Sequence, residues 1–289
     1  MRFRFIAAGI ILAALLSGSG CGAASSSTTG AAAGAGYWTR ARLLGAEASR
    51  EWSLPETPPP GATPSAHSPV LAAPRVGALF THNASGNHFC TASVVASPGH
   101  DLLITAAHCI NGGKSGGGYN NDIVFIPGYQ DGAAPYGVWA PSKLLVDPRW
   151  AASSDPDYDV GFVVLRPLDG KNIEDVLGAN QIRFDAGFDN LVRVTGYPAS
   201  ADAPVTCMNR TSQQSATQVK FACGGFFGGT SGSPWITGFD PSTRTGTIVG
   251  VVGGYQEGGD TDAISYSAYL NHSIRGLYEQ AATAGQPAG

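Results

Sequence analysis

Three short segments of this chain carry side chains that together can cleave an acyl bond. Gly228-Gly229-Thr230-Ser231-Gly232-Ser233-Pro234 offers hydroxyls among glycines. Thr105-Ala106-Ala107-His108-Cys109 offers an imidazole, and Asp157-Tyr158-Asp159-Val160-Gly161 offers carboxylates at the head of an apolar run. A serine hydroxyl is a poor nucleophile until a neighbouring base takes its proton. Imidazole titrates near neutrality, so His108 can take that proton and later return it. Its second nitrogen then needs an acceptor that holds the correct tautomer and favours the imidazolium. Asp159 fits this role because it directly precedes the apolar run Val160 to Leu165, where one end can be buried. Asp157 competes for it from two residues away, and Asp155 stands further off.

The segments occur in the order His, Asp, Ser, about 50 and about 70 residues apart. That order belongs to the chymotrypsin-type template and differs from those of subtilisin and the α/β-hydrolases. The three motifs resemble those of the chymotrypsin-like serine proteases, from about Arg75 to the C-terminal helix. More narrowly they resemble the secreted trypsin-like peptidases of actinobacteria and the glutamyl-endopeptidase branch, where Gly-x-Ser-Gly-Ser-Pro also occurs. The lipase-type elbow Gly-x-Ser-x-Gly fails, because Ser233 stands two residues after Ser231.

The resemblance implies a triad of His108, Asp159 and Ser231, with Pro234 after Ser233 favouring Ser231 over Ser233 as nucleophile. It implies an oxyanion hole made by the amides of Gly229 and Ser231, with Gly228 and Gly232 free to take positive φ. Four of the cysteines permit three pairings; the resemblance implies Cys90–Cys109 and Cys207–Cys223, the latter enclosing a polar loop. It places the S1 pocket at Gly225, Phe226, Val252, Gly253 and Gly254. The residue six before the nucleophile selects Arg or Lys when it is Asp, and here it is Gly225. The wall has no His of the kind that glutamyl endopeptidases use for an acidic side chain. A neutral or apolar P1 preference is therefore expected, unless Glu257 or Asp260 reaches the pocket. Thr230 replaces the Asp that pairs with a newly cut amine in many relatives, so activation by that route, for example after cleavage at Arg75-Val76, is not expected.

His67, His82, His88, His100 and His272 carry no motif. No Cys-x-x-Cys or His-Glu-x-x-His occurs, so no metal site and no cofactor is expected. The chain is 13% charged, with formal net charge −4 and no basic run, which argues against a nucleic-acid groove. The sequons at Asn83, Asn209 and Asn271 are given no role.

The N-terminus reads as an export signal over residues 1–21: Arg2 and Arg4, an apolar run from Ile6 to Leu16, then small residues. Five cysteines leave one unpaired in an exported protein. Cys21 is the odd one, and Gly18-Ser19-Gly20-Cys21 resembles a bacterial lipobox except at Gly18. Cys21 is either lipidated, anchoring the chain to a membrane, or removed with the signal. Residues 22–75 read as a linker or pro-segment, with a weak helical pattern from Tyr37 to Trp52 and a proline-rich stretch from Pro55 to Pro74.

After Pro74 many short β-branched runs alternate with Gly, Pro, Asn and Asp turns, the pattern of a β-sandwich or barrel. The resemblance implies an all-β fold of two antiparallel six-stranded β-barrels, over 76–180 and 181–289, with the active site in the cleft between them. Ser267 to Ala282 reads as a C-terminal α-helix with Tyr269, Leu270, Ile274, Leu277 and Tyr278 on one face, capped by Ser265 or Ser267. The function expected is that of a secreted, monomeric serine endopeptidase acting on peptide or protein substrates. Its rivals are a catalytically weak protease homologue serving as a cell-envelope binding module, and an envelope structural protein.

Overall fold

The computed structural model describes residues 34–49, 68–69, 74–201 and 203–285. The expected signal, Cys21, Trp52 and most of the proline-rich stretch lie outside the described residues. Two sheets dominate, built from β1 (Glu47–Ala48), β2 (Ser68–Pro69), β3 (Val76–Asn83), β4 (Gly86–Val95), β5 (Leu102–Thr105), β6 (Asn121–Pro127), β7 (Pro141–Val146), β8 (Gly161–Leu165), β9 (Gln181–Ile182), β10 (Leu191–Gly196), β11 (Val205–Gln213), β12 (Gln218–Ala222), β13 (Pro234–Asp240), β14 (Thr245–Val251) and β15 (Ile264–Ala268).

The first sheet runs β6-β3-β4-β5-β8-β7, with β1 added parallel to β4. Its ends meet where Phe125 and Trp139 exchange two backbone hydrogen bonds of 2.9 Å. The second runs β15-β12-β11-β10-β13-β14-β9, with β2 beside β11. It is drawn shut where the Gly253 amide donates to the Tyr266 carbonyl at 2.9 Å. Six longer strands make each unit, as the double-barrel expectation requires; the additions are two-residue edge strands.

Alternating apolar residues turn inward on each strand, the period that a half-buried strand demands. Leu79, Val94, Leu103, Phe125, Trp139 and Val163 fill the first barrel. Val192, Val194, Phe221, Phe226, Trp235 and Val249 fill the second. A third cluster joins the two: Ile104, Phe162 and Val164 from the first sheet meet Ile236 and Ile248 from the second, and Ile274 and Leu277 of the C-terminal helix close it. Each such side chain contributes about 1.5–3 kcal/mol on burial, so the barrels are fastened by the same effect that fills them.

That helix spans His272–Ala284 and begins later than expected. Ser265 and Ser267 belong to β15, paired with β12. The cap is Asn271, whose side-chain oxygen accepts from the amides of Ser273 and Ile274. Tyr269 lies outside the helix and stacks on Phe188. The segment between Cys207 and Cys223 is no loop: most of it forms the β11–β12 hairpin.

The Tyr37–Trp52 pattern gives two short helices, Gly34–Tyr37 and Arg40–Leu44, before Gly45 ends the second and β1 follows. This arm packs on the first barrel. Trp38 is buried, donating its indole N–H to the Asp122 carbonyl at 2.5 Å and tilting its ring over Phe80.

Candidate active site

His108 lies in a 3-10 turn, Ala107–Cys109, directly after β5. Asp159 caps another such turn, Pro156–Tyr158, directly before β8. Because β5 and β8 are neighbours, Thr105 pairs with Gly161, and the two candidate residues emerge side by side. The Asp159 carboxylate is fully buried. Its Oδ1 accepts from the His108 amide at 2.9 Å and its Oδ2 from His108 Nδ1 at 2.8 Å. The Gly254 amide adds a third bond to Oδ2 at 2.9 Å. A buried charge is tolerated only when paired and hydrogen-bonded, and three donors meet that condition. They also fix the imidazole with Nδ1 toward the acid.

The other two acids are committed elsewhere. Asp157 accepts from Gln218 Nε2 at 2.8 Å, and Asp155 accepts from the Asp157 amide at 3.1 Å within its own turn.

Ser231 sits in the tight turn before β13, almost wholly buried. The turn is clasped to the first barrel. The Thr91 amide donates to the Ser231 carbonyl at 2.7 Å, and Thr91 Oγ1 donates to the Gly229 carbonyl at 3.0 Å. Gly229 and Gly232 take positive φ, 93° and 82°; Gly228, expected to do so, does not. A Cβ on Gly232 would stand 2.1 Å from the Thr91 carbonyl and 3.1 Å from the Ala106 amide. The serine turn therefore lies directly against the strand end that leads into His108. The hydroxyl of Ser233 is spent on the Thr230 carbonyl at 2.5 Å. Thr230 in turn donates its hydroxyl to the Phe227 carbonyl at 2.8 Å. Among the described residues, the amides of Gly229 and Ser231 donate to no protein acceptor.

Two disulfides, Cys90–Cys109 and Cys207–Cys223, pair as the resemblance implies. The first joins the neighbour of Thr91 to the neighbour of His108, so one covalent tie spans both halves of the site.

No family model matches the chain, and no curated protein sequence matches it. Solved structures do. Protease Anisep from Arthrobacter nicotinovorans is 27% identical with a TM-score of 0.68, covering 75% of this chain and 99% of that one. Thermostable serine protease AL20 from an extremophilic microorganism is 26% identical with a TM-score of 0.66, covering 73% and 98%. A Glu endopeptidase shares the fold at 17% identity and a TM-score of 0.59, covering 76% and 98%. The chain is similar to the chymotrypsin-like serine proteases. That likeness supports a hydrolase with a serine protease's kind of function.

The residues expected to line S1 divide in two. Phe226 and Val252 are fully buried in the second barrel's core, the Phe226 ring against Phe221. Gly253 and Gly254 lie against Asp159 instead: a Cβ on Gly253 would be 2.9 Å from the Asp159 carbonyl and 3.1 Å from Oδ2. Gly225 takes φ 87°, and its amide donates to a carboxylate oxygen of Asp262 at 3.3 Å. Neither suspected acid makes that contact; the one that does is Asp262.

Two further residues were invisible in the sequence. Thr91 also accepts from the Tyr197 amide at 3.0 Å and takes the Thr105 hydroxyl on its carbonyl at 2.8 Å. It thus ties four segments at the serine turn. Gln218, on the second barrel, donates to Asp157 and to the Pro156 carbonyl and accepts from the Tyr255 amide, which holds the turn that presents Asp159. Their only sequence signal is a polar residue inside an apolar strand.

Proposed function

We propose that the chain is an exported serine endopeptidase that works through an acyl-enzyme. Ser231 Oγ attacks the scissile carbonyl while His108 Nε2 takes its proton. The amides of Gly229 and Ser231 hold the oxyanion, and His108 gives the proton to the leaving amine. Water then enters by the same route and releases the acid. Asp159 orients His108 and stabilises the imidazolium. The observation that carries this reading is the buried Asp159 carboxylate, with both bonds to His108 formed and the third filled by Gly254.

Rapid-mixing hydrolysis of an activated ester tests it. An initial burst of about one leaving group per protein, absent in Ser231→Ala, is expected. A burst of equal size in the variant would overturn it.

Export is supported by the signal-like N-terminus and by two disulfides, which persist in oxidising compartments. Intact-mass analysis of the mature chain reads the fate of Cys21: lipidated or absent, with an unmodified Cys21 contradicting both.

For substrate choice, Gly225 favours a neutral P1 side chain of modest selectivity, since an apolar pocket discriminates weakly. A second reading rests on Asp262, whose carboxylate lies at Gly225 and would accept Arg or Lys. A peptide library decides. Neutral residues dominate, unchanged in Asp262→Asn, on the first reading; cleavage after Arg and Lys that collapses in Asp262→Asn establishes the second.

A further inference from the structure

Three arginines distant in sequence meet at the tip of the β13–β14 hairpin. Arg75 Nη1 donates to the carbonyl of Thr243 at 3.1 Å, one residue before Arg244. Arg193, on β10, lays its guanidinium over the Phe239 ring at 4.6 Å. Arg244 is held in the left-handed region, φ 58°, with its amide on the Asp240 carbonyl at 2.7 Å. Gly178 makes room for Arg75, because a Cβ there would stand 2.8 Å from Nη2.

Among the described residues, none of the three has a counter-charge. The ion pairs among the described residues use His100, His108, Arg149, Arg210 and Arg275. Arg75 Nε is buried without a hydrogen-bond partner. Asp240, the one acid of the hairpin, is turned to the amide and hydroxyl of Ser242. Burial, and then the positive charge of Arg244, push both Arg75 and Arg193 below the usual arginine range. Like charges are thus gathered in a partly desolvated corner of a chain whose formal net charge is −4. β13 takes six steps from Pro234 to Asp240, so the hairpin tip stands at most roughly 20 Å from Pro234 at about 3.4 Å per step.

We propose that Arg75, Arg193 and Arg244 form a binding site for a tetrahedral oxyanion of the phosphate or sulfate type. Guanidinium groups match such oxygens through paired N–H bonds, and a polyvalent anion offsets several positive charges where one carboxylate offsets one. The same chemistry is presented by a free inorganic ion and by the repeating groups of a phosphate polymer. A polymer would hold the protein on an anionic surface by a face remote from its cleft.

Titration of the full chain with inorganic phosphate, and separately with long-chain polyphosphate, tests this without reference to peptidase activity. Phosphate is expected to raise the unfolding temperature in a saturable way. Arg193→Ala/Arg244→Ala is expected to weaken binding by about tenfold or more, the loss of charge-assisted bonds. Arg244 is exposed, so Arg244→Ala alone leaves the core intact. In anion-free buffer this variant should unfold at the same temperature as the parent or above it, because a repulsion is relieved. Binding per phosphate that is much tighter for polyphosphate identifies the polymer as the source; equal binding identifies the free ion. No binding of either probe, equal binding by the double variant, or a destabilised Arg244→Ala in anion-free buffer would each overturn the proposal.

Discussion

The buried Asp159 carboxylate and the arginine corner at the tip of the β13–β14 hairpin treat charge in opposite ways. Asp159 is sealed from solvent and has a donor for each of its three acceptances: two from His108 and one from Gly254. Arg75, Arg193 and Arg244 share one corner and take part in no ion pair among the described residues. A charge that must hold a neighbouring group in one orientation needs its partners built in, since leaving it unpaired in the interior costs several kcal/mol. A charge that is to meet a mobile ligand is left without one. Both ends of the β13–β14 hairpin are therefore informative: Pro234 follows the serine turn that Thr91 clasps by two carbonyls, and Arg244 lies in the uncompensated tip.

The largest effect comes from breaking the filled site. Asp159→Asn should lower kcat by about 10⁴-fold, the size such a loss takes in the chymotrypsin-type triad. Asp157→Asn should leave kcat near the parent value, because its partner is Gln218. Steady-state kinetics on both variants checks the assignment, and the reverse ranking would transfer the role to Asp157.

A smaller loss should follow from Thr91→Val, which leaves the Tyr197 amide and the Gly229 carbonyl without their partner. Each orphaned buried group costs roughly 1–3 kcal/mol, so the unfolding temperature should fall. If Thr91 positions the serine turn, kcat should fall with little change in KM, and Thr91→Ser should restore both. Gly253→Ala probes the same wall more gently. Its Cβ would press on Asp159 and on Ala106, and a displacement of this kind costs up to about a hundredfold in turnover. Unchanged kcat would show that the wall yields.

The smallest effect is expected at His100 and Asp175, an exposed counterpart of the buried pair, 2.6 Å apart. The hydrogen bond to Asp175, followed by the charge of Glu174, raises the His100 pKa. Its stabilisation is present below the unfolded value of about 6.5 and fades as pH rises through the folded one. His100→Ala should lower the unfolding temperature slightly at about pH 5 and not at about pH 9. A larger loss at the alkaline end would contradict the sign.

The candidate site is legible in the sequence because its residues sit in three contiguous segments, each with local punctuation: Cys109 after His108, an apolar strand after Asp159, glycines around Ser231. What depends on distant strands meeting is not. Thr91 and Gln218 act across barrels, and the arginines come from β10, a hairpin tip and the residue before β3. The helix start was misjudged because Ser265 and Ser267 are good caps locally, yet the ladder with β12 claims them. Gln218 to Ala222 reads as a strand in the sequence and forms β12, whereas the β11 arm of the hairpin is masked by polar residues such as Asn209 and Arg210, which suit a strand only when one face meets solvent. The resemblance places Phe226 at the S1 pocket, and its ring packs on Phe221 in the second barrel's core.

Covalent labelling reads out the nucleophile itself. The full-length protein is treated with a fluorophosphonate, digested, and mapped by mass spectrometry, alongside Ser231→Ala. The account predicts modification of Ser231 alone, abolished in the variant while its unfolding temperature is retained. Label on Ser233, or label that survives Ser231→Ala, would contradict it.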